Sequence, residues 1–151
     1  MKKILLLLIL VYGQLFALDR GSTLKMYHGI FSALSSKKTI FVYTNDKEYR
    51  DVFSHSKRIF FTNELEEADI VLITDRRSLE SVLYRLKVNT DVGKKQILFV
   101  TDYHFLKISD DIVGAFYWRK GRSQLLFIKK RLKEYDITLP LEYQRFMIDA
   151  L

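Results

Sequence analysis

Hydrophobic and polar positions repeat one pattern three times along the chain. Ala68 to Asp75 holds an apolar stretch that no polar side chain interrupts from Ile70 to Ile73, and it closes in Thr74 and Asp75. Thr39 to Asp46 and Gln96 to Asp102 are also β-rich runs that end in Thr followed, directly or after one residue, by Asp. Apolar runs without alternation predict strands covered on both faces, as in the middle of a parallel sheet. Arg58 to Thr62 reads as a further, shorter strand.

Helical spacing fills the gaps between these runs. Leu24, Tyr27, Phe31 and Leu34 predict an amphipathic first helix, widened by Met26, Ile30 and Ala33, with His28 on or beside its apolar face. Asn45 to Glu48 has capping-box spacing with Asn45 as the cap, ahead of a short helix that buries Tyr49, Val52 and Phe53. Asn63 to Glu66 repeats that spacing but leaves room for only one turn. Leu79, Val82, Leu83 and Leu86 define the buried face of a third helix, which Asn89, Thr90, Asp91 and Gly93 end. The alternation of strand and helix predicts an α/β fold with right-handed crossovers.

The pattern changes in the last third. Ile112 to Trp118 and Arg122 to Ile128 flank Lys120-Gly121, a two-residue hairpin signal. That loop places Phe116 opposite Leu125 and Gly114 opposite Phe127, so the glycine makes room for a ring across the ladder. A short helical stretch with Leu132 and Tyr135 follows, and Pro140 opens a final helix with Tyr143, Phe146, Met147 and Ala150 on one side. The expected fold class is therefore α/β: a mostly parallel sheet flanked by helices, with a C-terminal antiparallel hairpin at one edge and a terminal helix.

The first residues read as an address. Lys2 and Lys3 precede the unbroken apolar run Ile4 to Val11, and a more polar exit ends in the small residue Ala17. The run is shorter than the ~20 residues a spanning helix needs, so 1–17 is expected to be a cleavable signal peptide and 18–151 a single exported domain in the periplasm. Of 151 residues, 134 follow Ala17, enough for one core. Without Lys2 and Lys3 the net charge of +7 falls to +5, spread among acids, which gives no nucleic-acid surface. The chain has no cysteine. Packing alone must hold an exported domain of this kind together, and thiol chemistry, zinc–thiolate sites and disulfide switching are excluded.

Candidate chemistry clusters at the strand ends. Small ligands bind where parallel strands end together, which selects Thr44, Thr74, Asp75, Arg76, Thr101, Asp102 and Tyr103 as a ligand-binding set. Asp46, Asp75 and Asp102 could converge on a hard cation in a hydrolase. The expectation is instead that each carboxylate caps the helix or turn after its strand, with no metal and no cofactor. The chain has no Gly-rich phosphate loop and no Gly-x-Ser-x-Gly elbow, and His28, His55 and His104 lack ligand spacing. Exposed aromatic side chains are the expected anchors for a protein partner, with Tyr27, Phe31 and Trp118 as candidates.

Gly114-Ala-Phe-Tyr-Trp-Arg-Lys-Gly-Arg122, Leu125-Leu-Phe-Ile128, Leu132, Tyr135-Asp-Ile-Thr-Leu139 and the apolar tail resemble the C-terminal half of YfiR-like periplasmic proteins. Leu24 to Phe31 resembles their aromatic first helix, and Ala68 to Ile73 their central strand. The resemblance implies a non-enzymatic regulator that restrains a membrane-bound diguanylate cyclase through that partner's periplasmic sensor domain. Tyr135-Asp136 replaces the family's usual glycine, and the family's cysteines are missing here. Besides the membrane protein, a small ligand and a second copy of the chain stand as possible partners.

Overall fold

The computed structural model describes residues 21–89 and 95–151. The predicted signal peptide and its cleavage point lie outside the described residues, as do Thr90, Asp91 and Gly93 of the predicted helix stop. Among the described residues no helix is long and apolar enough to cross a membrane.

Helix α1 covers 21–34. It leads into β1 (Ile40–Tyr43), α2 (Lys47–Phe53) and β2 (Ile59–Phe61), and a 3₁₀ turn at Leu65–Glu67 precedes β3 (Ile70–Ile73). Then come α3 (Arg76–Val88), β4 (Ile97–Val100) and a second 3₁₀ segment at Tyr103–Lys107. Strands β5 (Ile112–Arg119) and β6 (Arg122–Ile128) form the hairpin, followed by α4 (Lys129–Glu134), α5 (Leu141–Gln144) and β7 (Met147–Ile148). One seven-stranded sheet results, in the order β2-β1-β3-β4-β5-β6-β7. All pairings are parallel except β5 with β6. The fold is α/β, as expected.

The pleat sorts alternate residues into two cores, except that a register shift between β4 and β5 puts both Val113 and Phe116 on one side. Ile40, Val42, Ile70, Leu72, Phe99, Val113 and Phe116 face α1 and α2, where Tyr27, Phe31 and Phe53 meet them. Tyr43, Val71, Ile73, Leu98, Val100 and Ala115 face α3 and the 3₁₀ segments through Leu79, Val82, Leu65 and Leu106. All four residues of β3 are buried. Period-two side chains between two covering layers explain why the apolar run needs no polar alternation.

The hairpin has the register read from its loop. Phe116 faces Leu125 and Gly114 faces Phe127. Lys120 and Gly121 both have positive φ (50° and 73°), the twist-matched two-residue turn. Strand β4 pairs with β5 only as far as Val100 with Ala115. Residues 116–119 therefore run on past the end of β4 by about 13 Å, at ~3.3 Å per residue.

Four local expectations change. The α2 cap is Asp46 rather than Asn45: its carboxylate accepts from the amides of Glu48 and Tyr49 at 2.9 and 3.4 Å. Asn63 caps nothing; the hydroxyl of Thr62 takes the Glu64 amide at 3.0 Å. His28 is exposed, one position beyond the α1 stripe. The terminal helix is a single turn, because the open outer edge of β6 captures the tail. The Phe127 amide donates to the Phe146 carbonyl at 2.9 Å, and Phe127 and Ile128 pair with Met147 and Ile148. A new strand satisfies those edge groups, whereas a longer helix would leave them open.

Candidate functional site

Sheet order locates the first candidate site. From β1 the chain winds through α2 to β2 on one side, and from β3 through α3 to β4 on the other, so the order reverses between β1 and β3. An open cavity of about 580 Å³ lies at their carboxyl ends, lined by Asn45, Asp75, Arg76, Arg77, Ser78 and Ser81. This is where open α/β sheets hold ligands.

The helix starts at this crevice are already in use. Asp46 occupies the first-turn amides of α2, and Asp75 accepts from the Ser78 amide and hydroxyl, both at 2.8 Å. The Ser78 amide, then its hydroxyl, hold the Asp75 carboxyl below the usual carboxylate range, with a smaller contribution from Arg77. An incoming phosphate would have to displace an ionised carboxylate from the site its own oxygens would need. Arg76 spans to Glu80 at 3.0 Å on the exposed surface, worth only a few tenths of a kcal/mol.

A polar chain the sequence reading missed runs behind the crevice. Arg85 donates to the Tyr43 hydroxyl (3.4 Å), Tyr43 to Asn45 Oδ1 (2.9 Å), Asn45 to Ser78 Oγ (3.5 Å), and Ser78 to Asp75. Glu66 holds the far end through both carboxylate oxygens on Arg85 at 3.1 Å. Sequence carried no signal for it, because only the β1–β3 register turns Tyr43 to the side of Val71 and Ile73, under α3.

Of the predicted ligand set, Asp75 and Arg76 line this crevice. Thr44 is buried in its turn, where its hydroxyl accepts the Asp46 amide at 3.3 Å. Thr101 donates to the Thr74 carbonyl at 3.4 Å, tying β4 to β3. Asp102 caps the 3₁₀ segment through the His104 amide and meets His104 Nδ1 at 2.7 Å. Tyr103 lies against His104 and Tyr117, with ring centroids at 4.0 and 4.9 Å and the Arg119 guanidinium 5.9 Å above its ring. It packs on the projecting part of the hairpin, away from the crevice lining. Each of the three aspartates thus caps its own helix or turn, and among the described residues no acidic or histidine cluster is arranged to hold a metal.

The candidate anchors divide sharply. Tyr27 and Phe31 are 1% and 0% exposed. The expectation that they face a partner is corrected: their rings pack on Phe53, Phe116 and Phe99 in the core. Trp118 is 64% exposed, at the projecting end of the hairpin. A cleft of about 570 Å³ at the other end of the sheet was not foreseen. Leu83, Leu86, Lys95, Gln96, Ile108 and Tyr135 line it. Lys95 Nζ sits 3.9 Å over the Tyr135 ring, and burial pushes the Tyr135 hydroxyl well above its ordinary pKa.

No family model matches the chain, and no curated protein matches it. Among solved structures it is similar to the crystal structure of a conserved domain protein from Vibrio cholerae, with a TM-score of 0.56 and 11% identity. The match covers 82% of this chain and 58% of that one. At this identity the likeness concerns the fold alone.

Proposed function

We propose that the domain is an exported, non-enzymatic regulator that restrains a membrane-bound diguanylate cyclase through the partner's periplasmic domain. The observation that carries this reading is the exposed Trp118 on a hairpin that outruns the sheet. A domain outside the cytoplasm influences an enzyme inside it only by binding one state of a spanning partner better than the other. Driving such a partner from 1:99 to 99:1 takes about 10⁴-fold discrimination. A buried tryptophan anchor supplies ~2 kcal/mol or more, about 30-fold, so neighbouring contacts must supply the rest.

Deleting the gene in a strain with the matching cyclase should raise cyclic di-GMP and surface attachment, and a folded Trp118→Ala variant should copy the deletion. Unchanged cyclic di-GMP in the deletion strain would count decisively against this role. A pull-down from inner membranes with residues 18–151 as bait should recover the cyclase. The second reading, a small-molecule binder at the strand ends, draws on the open β1/β3 crevice and the exposed Arg77. It requires recognition by side chains, since the helix-start amides are taken.

A further inference from the structure

We infer that the tip of the β5–β6 hairpin is a docking element for an anionic lipid bilayer surface. Trp118, Arg119, Lys120 and Arg122 are all exposed there, on the stretch that runs past the end of β4. Between Asp111 and Glu134 the sequence holds no acidic residue, so nothing in the hairpin offsets these cations. Arg119 leans over the Tyr103 ring with its guanidinium 5.9 Å from the centroid. Because β5 runs parallel to β3 and β4, the start of α3 stands at the same end of the molecule, but there Arg76 is paired with Glu80 and Asp46, Asp75 and Asp102 lie alongside, so the cations that carry the inference are those of the hairpin itself.

The combination has a physical reading. An indole prefers the headgroup level, with its apolar ring in the acyl boundary and its N–H wet. Lysine and arginine beside it meet anionic headgroups, each worth about a fivefold gain in affinity near such a surface. One large ring ringed by long cations on a narrow projecting turn fits a flat, deformable, negatively charged layer.

Trp118 is the chain's only tryptophan, so its fluorescence reports on the tip alone. Residues 18–151 should sediment with vesicles of phosphatidylglycerol and phosphatidylcholine and not with phosphatidylcholine alone, and Trp118 emission should shift to the blue. Lipids brominated near the headgroup should quench it. Replacing Arg119, Lys120 and Arg122 together by Gln should weaken binding about 100-fold, at roughly fivefold per charge. Trp118→Ala should also weaken sedimentation, whereas Tyr84→Ala, at an equally exposed aromatic on α3, should not. Circular dichroism should show each variant folded. The inference is overturned if the protein ignores anionic vesicles, binds neutral ones as well, or keeps its affinity in the charge variant. The vesicles contain no protein, so this result is independent of whether the domain regulates a cyclase.

Discussion

Gly114→Ala tests the packing of the hairpin against the core. A Cβ at this position would sit 2.6 Å from the Leu126 carbonyl oxygen, 2.8 Å from Phe127 Cδ1 and 3.0 Å from Phe99 Cε2. The φ of Gly114 is not positive, so the backbone alone would accept alanine. Alanine brings a gain of ~0.5–1 kcal/mol from reduced chain freedom. Overpacking a filled core costs ~1–3 kcal/mol, and more when the nearest atom cannot rotate away. The Leu126 carbonyl belongs to the ladder and Phe99 and Phe127 are fully buried, so the cost falls at the upper end. The net loss should be about 2 kcal/mol. In urea, with a slope of ~1–3 kcal/mol per molar for a domain of this size, the midpoint should fall by about 1 M with an unchanged slope. Adding Phe127→Leu should recover part of the loss through coupling of touching residues, and only part, because the carbonyl contact stays. An unchanged or higher midpoint in Gly114→Ala would refute the close approach of these three groups.

Asp75→Asn should cost no more than ~1 kcal/mol and Asp75→Ala ~0.5–2 kcal/mol in the same urea assay, because an amide caps comparably and a methyl does not. Loss of a metal-dependent activity in Asp75→Asn would instead reveal a ligand role. The folded pKa of Asp75 is lowered from 3.8. Its contribution is therefore present above that value and disappears as pH falls through the lower folded value, and Asp75→Asn should flatten this part of the acid limb. Arg131 is buried and donates to the carbonyls of Leu106 and Ile112 at 3.0 and 2.9 Å and to Asp110 at 2.7 Å. Arg131→Met should cost ~2–5 kcal/mol by stranding both carbonyls. Asp110→Asn, at a carboxylate 96% exposed, should cost under ~1 kcal/mol by thermal melting, and equal losses would show the ion pair to be the important part. Gly121→Ala should lose ~1–2 kcal/mol through its φ of 73°, with nothing within 4 Å to clash, and Gly121→Asn less. Equal midpoints for the two variants would argue against the positive-φ turn.

The sequence by itself determined what depends on short-range rules. Uninterrupted apolar runs specified β1, β3 and β4; β3 and β4 are covered on both faces and have no polar side, while Phe41 of β1 keeps one apolar side chain in solvent. Lys120-Gly121 specified the turn, and a pleat of period two then set every cross-strand pair, Gly114 with Phe127 included. Asp46, Asp75 and Asp102 were readable as caps because the first amides of a helix need an acceptor from the residue just before it.

Tertiary structure alone decided which periodic aromatics were core and which were surface. Tyr27 and Phe31 vanish under α2 and the sheet, while Trp118 stays in solvent because β5 outruns β4, and no local pattern states the length of a neighbouring strand. The tail from Phe146 to Ile148 carried helical spacing in sequence, and the free edge of β6 made it a strand instead. Arg131 follows Lys129 and Lys130, and nothing in that basic run sets it apart. Its burial follows from two carbonyls on other segments that need a donor, and the chain from Glu66 to Asp75 likewise joins groups that only the packing of α3 across β1 and β3 brings within hydrogen-bond reach.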